Sequence, residues 1–223
     1  METSLQGVRH FIGLHSPERL AAFDAAYEKA RDVVIIGSAA VGRLGPTSDL
    51  DLLFVGQGER VKTQWLDLLW VPQKKIESKS WLGSELATHA ARYGVWLKGA
   101  GEWRPQVFFS RLTVTHKCER ILVRLAKIYA KRHSLSQSQL EGLAARCVLD
   151  MQRVVLLASK CAVPPTDEVV GMLVRDPEKM FSEVCSEHLL GDLGRFFVER
   201  FVQRNNVIEI ILQDQRGRIW PAR

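Results

Sequence analysis

A chain of 223 residues is long enough for one domain or two small ones, and its 46% hydrophobic and 25% charged residues are ordinary for a folded globular protein. No apolar stretch approaches the roughly 18 uninterrupted residues of a spanning helix, and Met1-Glu2-Thr3-Ser4-Leu5-Gln6-Gly7 lacks the basic-then-apolar order of an export signal, so a cytoplasmic protein without membrane attachment is expected. A formal net charge of +6 and a pI near 9.3 suit an anionic partner such as a nucleoside triphosphate, RNA or an acidic protein surface, although a merely solvated basic surface gives the same balance.

Taken in chain order, the first helix signal is Ser16-Pro17-Glu18, a cap followed by proline in the first turn and an acid at the positive dipole end; Leu20, Phe23, Ala26 and Tyr27 then recur at helical spacing to about residue 30. Val33-Val34-Ile35-Ile36 is β-branched throughout and reads as a buried strand ending at Gly37. Residues 38–43 are small and helix-compatible, and 44–48 carry turn chemistry. A second strand is expected over 49–55 and a loop over 56–60. A third strand over 63–71 is expected to pair back on the second as an antiparallel hairpin. A helix over 81–91 and a short strand over 93–99 complete an α/β half.

From about Phe108 the periodicity turns helical, through Ile121, Leu122, Leu125, Ile128 and Tyr129, then across 140–162 and 180–202. Residues 206–220 read as a terminal hairpin or an added strand. The expected organisation is therefore an α/β core with a mixed sheet over 1–107 and a helical bundle over 108–223. Cys118, Cys147, Cys161 and Cys185 are irregularly spaced and read as reduced thiols, mostly buried; the histidines are equally scattered, so no zinc site is indicated and any metal must be held by oxygen.

Chemistry concentrates in Ile36-Gly37-Ser38, a spacer, and Asp49-Leu50-Asp51-Leu52. Side chains alternate along a strand, so Asp49 and Asp51 share one face while Leu50 and Leu52 enter the core on the other. Two carboxylates so placed repel each other unless a cation lies between them, and oxygen-only ligation points to Mg²⁺ or Mn²⁺. Gly37 permits a tight turn, and Ser38 with the amides after it offers a phosphate cradle; Arg43 and Ser48 are further nucleotide-binding candidates. An antiparallel return of the third strand that sets Asp67 opposite Asp51 brings a third carboxylate to the same face. Lys98 is a further candidate phosphate contact. Lys117, Arg120, Arg124, Lys127 and Lys131 place cations along one helical face, and Trp65, Trp70 and Trp96 are either core residues or base-stacking surfaces.

The glycine-serine turn followed by Asp-x-Asp resembles the signature of the DNA polymerase β-like nucleotidyltransferases, over roughly residues 30–99. The resemblance implies a nucleotidyltransferase core with a Gly37-Ser38 turn that binds triphosphate and an Asp49/Asp51 pair that holds two Mg²⁺ ions. It implies also a third acid from a neighbouring strand, the role Asp67 matches as metal ligand or general base. The implied reaction moves a nucleoside monophosphate from an NTP to an acceptor hydroxyl, on RNA such as tRNA or on a cognate protein, with release of pyrophosphate. An antibiotic acceptor, and an inert nucleotidyltransferase-fold module or antitoxin-like partner protein, are the alternatives.

Overall fold

The computed structural model describes residues 3–43, 49–172, 180–181 and 183–185. Helix α1, Leu5–His15, precedes the first expected helix; Ser4 caps it by accepting from the Gly7 amide at 3.1 Å, and Val8 and Ile12, four apart, are its buried positions. Helix α2, Pro17–Lys29, starts as the sequence indicates, with the Ser16 hydroxyl accepting from Arg19 and Phe23 turned inward. Strand β1, Asp32–Ile36, is buried along its whole length, and it runs directly into the single helical turn α3, Gly37–Ala40.

The next three strands are β2, Leu50–Val55; β3, Val61–Lys62; and β4, Leu66–Val71. After them come the short helices α4, Gln73–Ile76, and α5, Lys79–Leu82, then α6, Glu85–Tyr93, and strand β5, Val95–Lys98. The helix expected over 81–91 is divided because Ser78 and Ser84 each cap a new start, accepting from Trp81 and Ala87 respectively.

Among the described residues the strands form one mixed sheet in the order β3-β4-β2-β1-β5. Strand β4 runs parallel to β2, which corrects the antiparallel hairpin expected from the sequence. The return path is instead the two-residue edge strand β3, antiparallel to β4. Thr63 closes that turn, donating its amide to Leu66 O at 2.8 Å and accepting on its hydroxyl from Leu66 N at 3.0 Å. The chain thus reverses between β3 and β4 and slots β4 in beside β2 with its direction restored. The expected pairing of Asp51 with Asp67 is nonetheless present.

Alternation sorts the sheet into two buried faces. Val33, Ile35, Leu50, Leu52, Phe54, Leu66 and Leu68 pack with Val8, Ile12 and Phe23 of α1 and α2. Val34, Ile36, Leu53, Val55 and Val71 pack with Ile76, Trp81, Leu82, Ala87 and Ala90 of α4, α5 and α6, and with Trp103. The sheet is therefore covered by helices on both sides, and the face that carries the odd-numbered residues of β2 holds the carboxylates.

By contact the chain divides into two compact units: residues up to Phe109 together with Pro164–Thr166, and residues from Ser110 to Val163 resuming at Asp167. The second unit contains α7, Arg111–Lys131; α8, Gln137–Ala158; and α9, Thr166–Gly171, whose first residue belongs to the first unit. Helices α7 and α8 share a core that includes Cys118, Ile121, Leu125, Cys147, Val148 and Met151. A capping box opens α8, with the Ser136 hydroxyl accepting from Gln139 N and the Gln139 side chain accepting from Ser136 N. Most of the helix expected over 180–202, and the whole terminal segment 206–220, lie outside the described residues. No described helix is long and apolar enough to cross a membrane.

Candidate carboxylate site

The site lies where β1 ends and β2 and β4 begin. In-register pairing puts Asp51 of β2 beside Asp67 of β4, and Asp67 beside Lys62 of β3, so three neighbouring strands present acid, acid and base at one level. Asp49 immediately precedes β2, and the two-residue period assigns it to the Asp51 face. On the other side of Asp51, its β1 partner is Ile36, whose successor Gly37 turns the chain into α3.

Gly37 is required on two counts. Its φ is +69°, the left-handed region that a β-carbon disfavours. A β-carbon there would also stand 2.6 Å from Asp51 Oδ2, so the missing side chain makes the space that the carboxylate occupies. The Gly37 amide donates to His89 Nε2 at 3.1 Å. His89 is buried on α6 and accepts on that nitrogen, so its ring is neutral with the proton on Nδ1. This fastening engages the Gly37 amide within the protein and passes the cradle's donor role to Ser38 and the amides beyond it. The Ser38 hydroxyl makes no hydrogen bond among the described residues. Arg43 is exposed just beyond α3, and Ser48 lies outside the described residues.

Asp67 is only 6% exposed, and both its oxygens are engaged. Arg60 donates from Nε to Oδ1 at 2.9 Å and from Nη2 to Oδ2 at 2.5 Å, while Lys62 Nζ donates to Oδ2 at 2.6 Å. Burial by itself pushes the Asp67 carboxyl up, but the hydrogen bonds and charges of Arg60 and Lys62 together hold it below the ordinary carboxylate range. The Arg60 guanidinium is held more firmly charged, first by its hydrogen bond to Asp67 and in smaller part by the field of Asp51, which ties it electrically to the carboxylate pair. A carboxylate offers about four lone-pair sites, of which Asp67 spends three on these two cations.

Among the described residues no three acids, histidines or cysteines are grouped closely enough to hold an ion together. A hard divalent ion does not need three. Mg²⁺ keeps several waters and is commonly held by one or two carboxylates completed by substrate phosphates, which is the donor set that Asp49 and Asp51 supply. The missing β-carbon at Gly37 gives Asp51 Oδ2 its room at the turn, so the residues present fit such an ion.

Other residues singled out from the sequence have structural roles. Lys98 donates to the carbonyls of Tyr27 at 2.7 Å and Glu28 at 3.0 Å, fastening the C-terminal end of α2. Trp65 stacks on His15 with ring centroids 4.7 Å apart, Trp70 lies against Phe54 at 4.9 Å, and Trp96 meets Trp103 at 5.6 Å with Arg104 over its ring. All three are packed within the first unit. On α7, Arg124 pairs with Asp150 of α8, while Arg120, Lys127 and Lys131 lie along the same helix. The sequence alone does not single out His89, Arg60 or Lys62. His89 is one of several scattered histidines, and Arg60 reads as a loop residue, since its partner becomes adjacent only when β3 folds back on β4.

No protein-family model and no curated protein matches the chain. Among solved structures it is similar to a nucleotidyltransferase-like protein from Exiguobacterium sibiricum 255-15, at 13% sequence identity and a TM-score of 0.39, over 93% of this chain and 81% of that one.

Proposed function

We propose that this chain is a metal-dependent nucleotidyltransferase that moves a nucleoside monophosphate from an NTP to an acceptor hydroxyl and releases pyrophosphate. The observation that carries the reading is the Gly37 turn seated against Asp51 Oδ2, with Asp49 assigned to the same face by strand alternation and Asp67 in register on the neighbouring strand. Paired carboxylates beside a glycine turn that leaves room for a ligand suit the recruitment of a divalent ion with its phosphates.

In this reading Asp49 and Asp51 hold Mg²⁺ or Mn²⁺. The bound ion supplies Lewis-acid stabilisation of charge developing at the α-phosphoryl group. The Ser38 hydroxyl, without a protein hydrogen bond among the described residues, donates to a phosphate oxygen. His89 acts through Gly37, keeping the turn in the conformation that makes room for the Asp51 carboxylate. With three of its lone-pair sites engaged, Asp67 is placed to organise Arg60 and Lys62 rather than to take the acceptor's proton. That departs from the third-ligand role which the family resemblance implies.

The test is incubation of the protein with Mg²⁺ and each of the four α-³²P-labelled NTPs, offering total RNA and cell lysate as acceptors, beside the Asp51→Asn variant. Label entering an RNA or protein band with the unmodified chain and not with Asp51→Asn is the expected result and identifies the acceptor class. Equal labelling by the variant contradicts the roles given to the aspartates. Absence of labelling and of Mg²⁺-dependent nucleotide binding replaces the enzyme with a nucleotide-independent binding module.

A further inference from the structure

We infer that Arg60 and Lys62 form a polyphosphate-binding site, for which buried Asp67 is the anchor rather than a metal ligand; this rests on the nucleotidyltransferase reading only for the identity of the polyphosphate as that of an NTP. Donor arithmetic carries it. A guanidinium has five N–H donors and an ammonium three, and Asp67 takes two from Arg60 and one from Lys62. Neither cation makes a further hydrogen bond or ion pair among the described residues. Three donors of Arg60 and two of Lys62 therefore remain to be satisfied from outside the described protein.

Those donors are accessible while their anchor is not. The side chains of Arg60 and Lys62 are 54% and 40% exposed, against 8% for the Asp67 side chain. Two cations converging on one carboxylate leave an excess positive charge fixed at one spot, beside the pair of acids that would carry the metal. The side-on contact through Nε and Nη2 leaves Nη1 unused, which suits the forked recognition of phosphate oxygens by arginine. Lys62 is held at the Asp67 level by strand pairing, so the two charges are organised before any ligand arrives.

Surface cations that only neutralise Asp67 would need to supply one charge, and the structure supplies two. A chain of phosphates uses the surplus, because each additional phosphate adds negative charge without requiring recognition of the base. The ligand class is accordingly a di- or triphosphate group, free or carried on a nucleotide.

Calorimetric titration of the full chain with inorganic tripolyphosphate, ATP, ADP and AMP, with and without Mg²⁺, tests this, using Arg60→Gln and Lys62→Gln. Each variant should weaken tripolyphosphate and ATP binding by about ten- to a hundredfold, with a smaller effect on AMP, because a lost charged hydrogen bond has that worth. Mn²⁺ affinity should stay within about twofold in both, since neither residue ligates the ion. Asp67→Asn should likewise weaken tripolyphosphate binding while sparing Mn²⁺. The inference is overturned if the unmodified chain binds no tripolyphosphate, if both cation variants bind it normally, or if Asp67→Asn abolishes Mn²⁺ binding. Tripolyphosphate binding without metal is readable even if nucleotidyl transfer is absent, so the two readings fail separately. Melting temperatures of the variants separate lost binding from unfolding.

Discussion

Among single residues, Gly37 and Asp51 form an interlocking pair: the carboxylate occupies the volume that a β-carbon at residue 37 would take. Replacing Gly37 by alanine imposes a left-handed conformation on a residue with a β-carbon, at about 1–2 kcal/mol, and drives that carbon into Oδ2. The two effects are separable. We expect Gly37→Ala to remain folded with a modestly lowered Tm while its Mn²⁺ affinity, followed by electron paramagnetic resonance, falls by about tenfold or more, the equivalent of one displaced ligand. Unchanged Mn²⁺ affinity would show that Asp51 does not use that space. His89 belongs to the same arrangement, since the Gly37 amide has its acceptor there. None of this pairing is local in sequence. The glycine-serine and Asp-x-Asp patterns are legible because a strand fixes their faces within a few residues, whereas His89 and Gly37 meet only through packing of α6 on β1.

For the secondary-structure elements, legibility depends on whether the signal sits inside the segment. Strands β1 and β2 announce themselves by unbroken β-branched and leucine runs, and α2 and α7 by their apolar periods. Direction is a different matter: Asp51 meets Asp67 whether β4 runs parallel or antiparallel at that one position, and two residues of β3 decide which. Helix α1 is hidden in the sequence although Ser4 and the Val8/Ile12 spacing are present, because the Ser16-Pro17 start is the stronger signal. The four thiols are free, with Cys161 alone exposed, as their irregular spacing suggests. Burial pushes the Cys147 thiol on α8 up to about 12, so it stays protonated and unreactive at about pH 8. An aromatic disulfide reagent should therefore titrate Cys161 promptly in the native chain and reach Cys118, Cys147 and Cys185 only after denaturant is added. Rapid reaction of all four thiols in native buffer would contradict the packing of the α7/α8 core.

Over the whole molecule, the net charge of +6 is a property of the chain and not of the site. The carboxylate cluster is itself nearly balanced, with Asp49, Asp51 and Asp67 against Arg60 and Lys62. That balance explains how three acids gather on one side of a covered sheet: two fixed cations offset most of the repulsion, and a divalent ion with its phosphates completes the rest. Composition alone indicates an anionic partner without saying where it binds, and the location emerges only from the strand order. The helical unit has its own core and its own caps, so its contribution to stability is independent of the carboxylates.

Recruitment of a nucleotide by Asp49 and Asp51 through a divalent ion is open to direct measurement: ATP affinity of the full chain with Mg²⁺ and with the ion chelated, for the unmodified protein and for Asp51→Asn. Mg²⁺ should strengthen ATP binding to the unmodified chain by at least about tenfold, the worth of one ligand-mediated contact, and Asp51→Asn should abolish this gain while keeping its melting temperature. Equal affinity with and without Mg²⁺ in the unmodified chain, or an undiminished Mg²⁺ effect in the variant, would refute that role for the two aspartates.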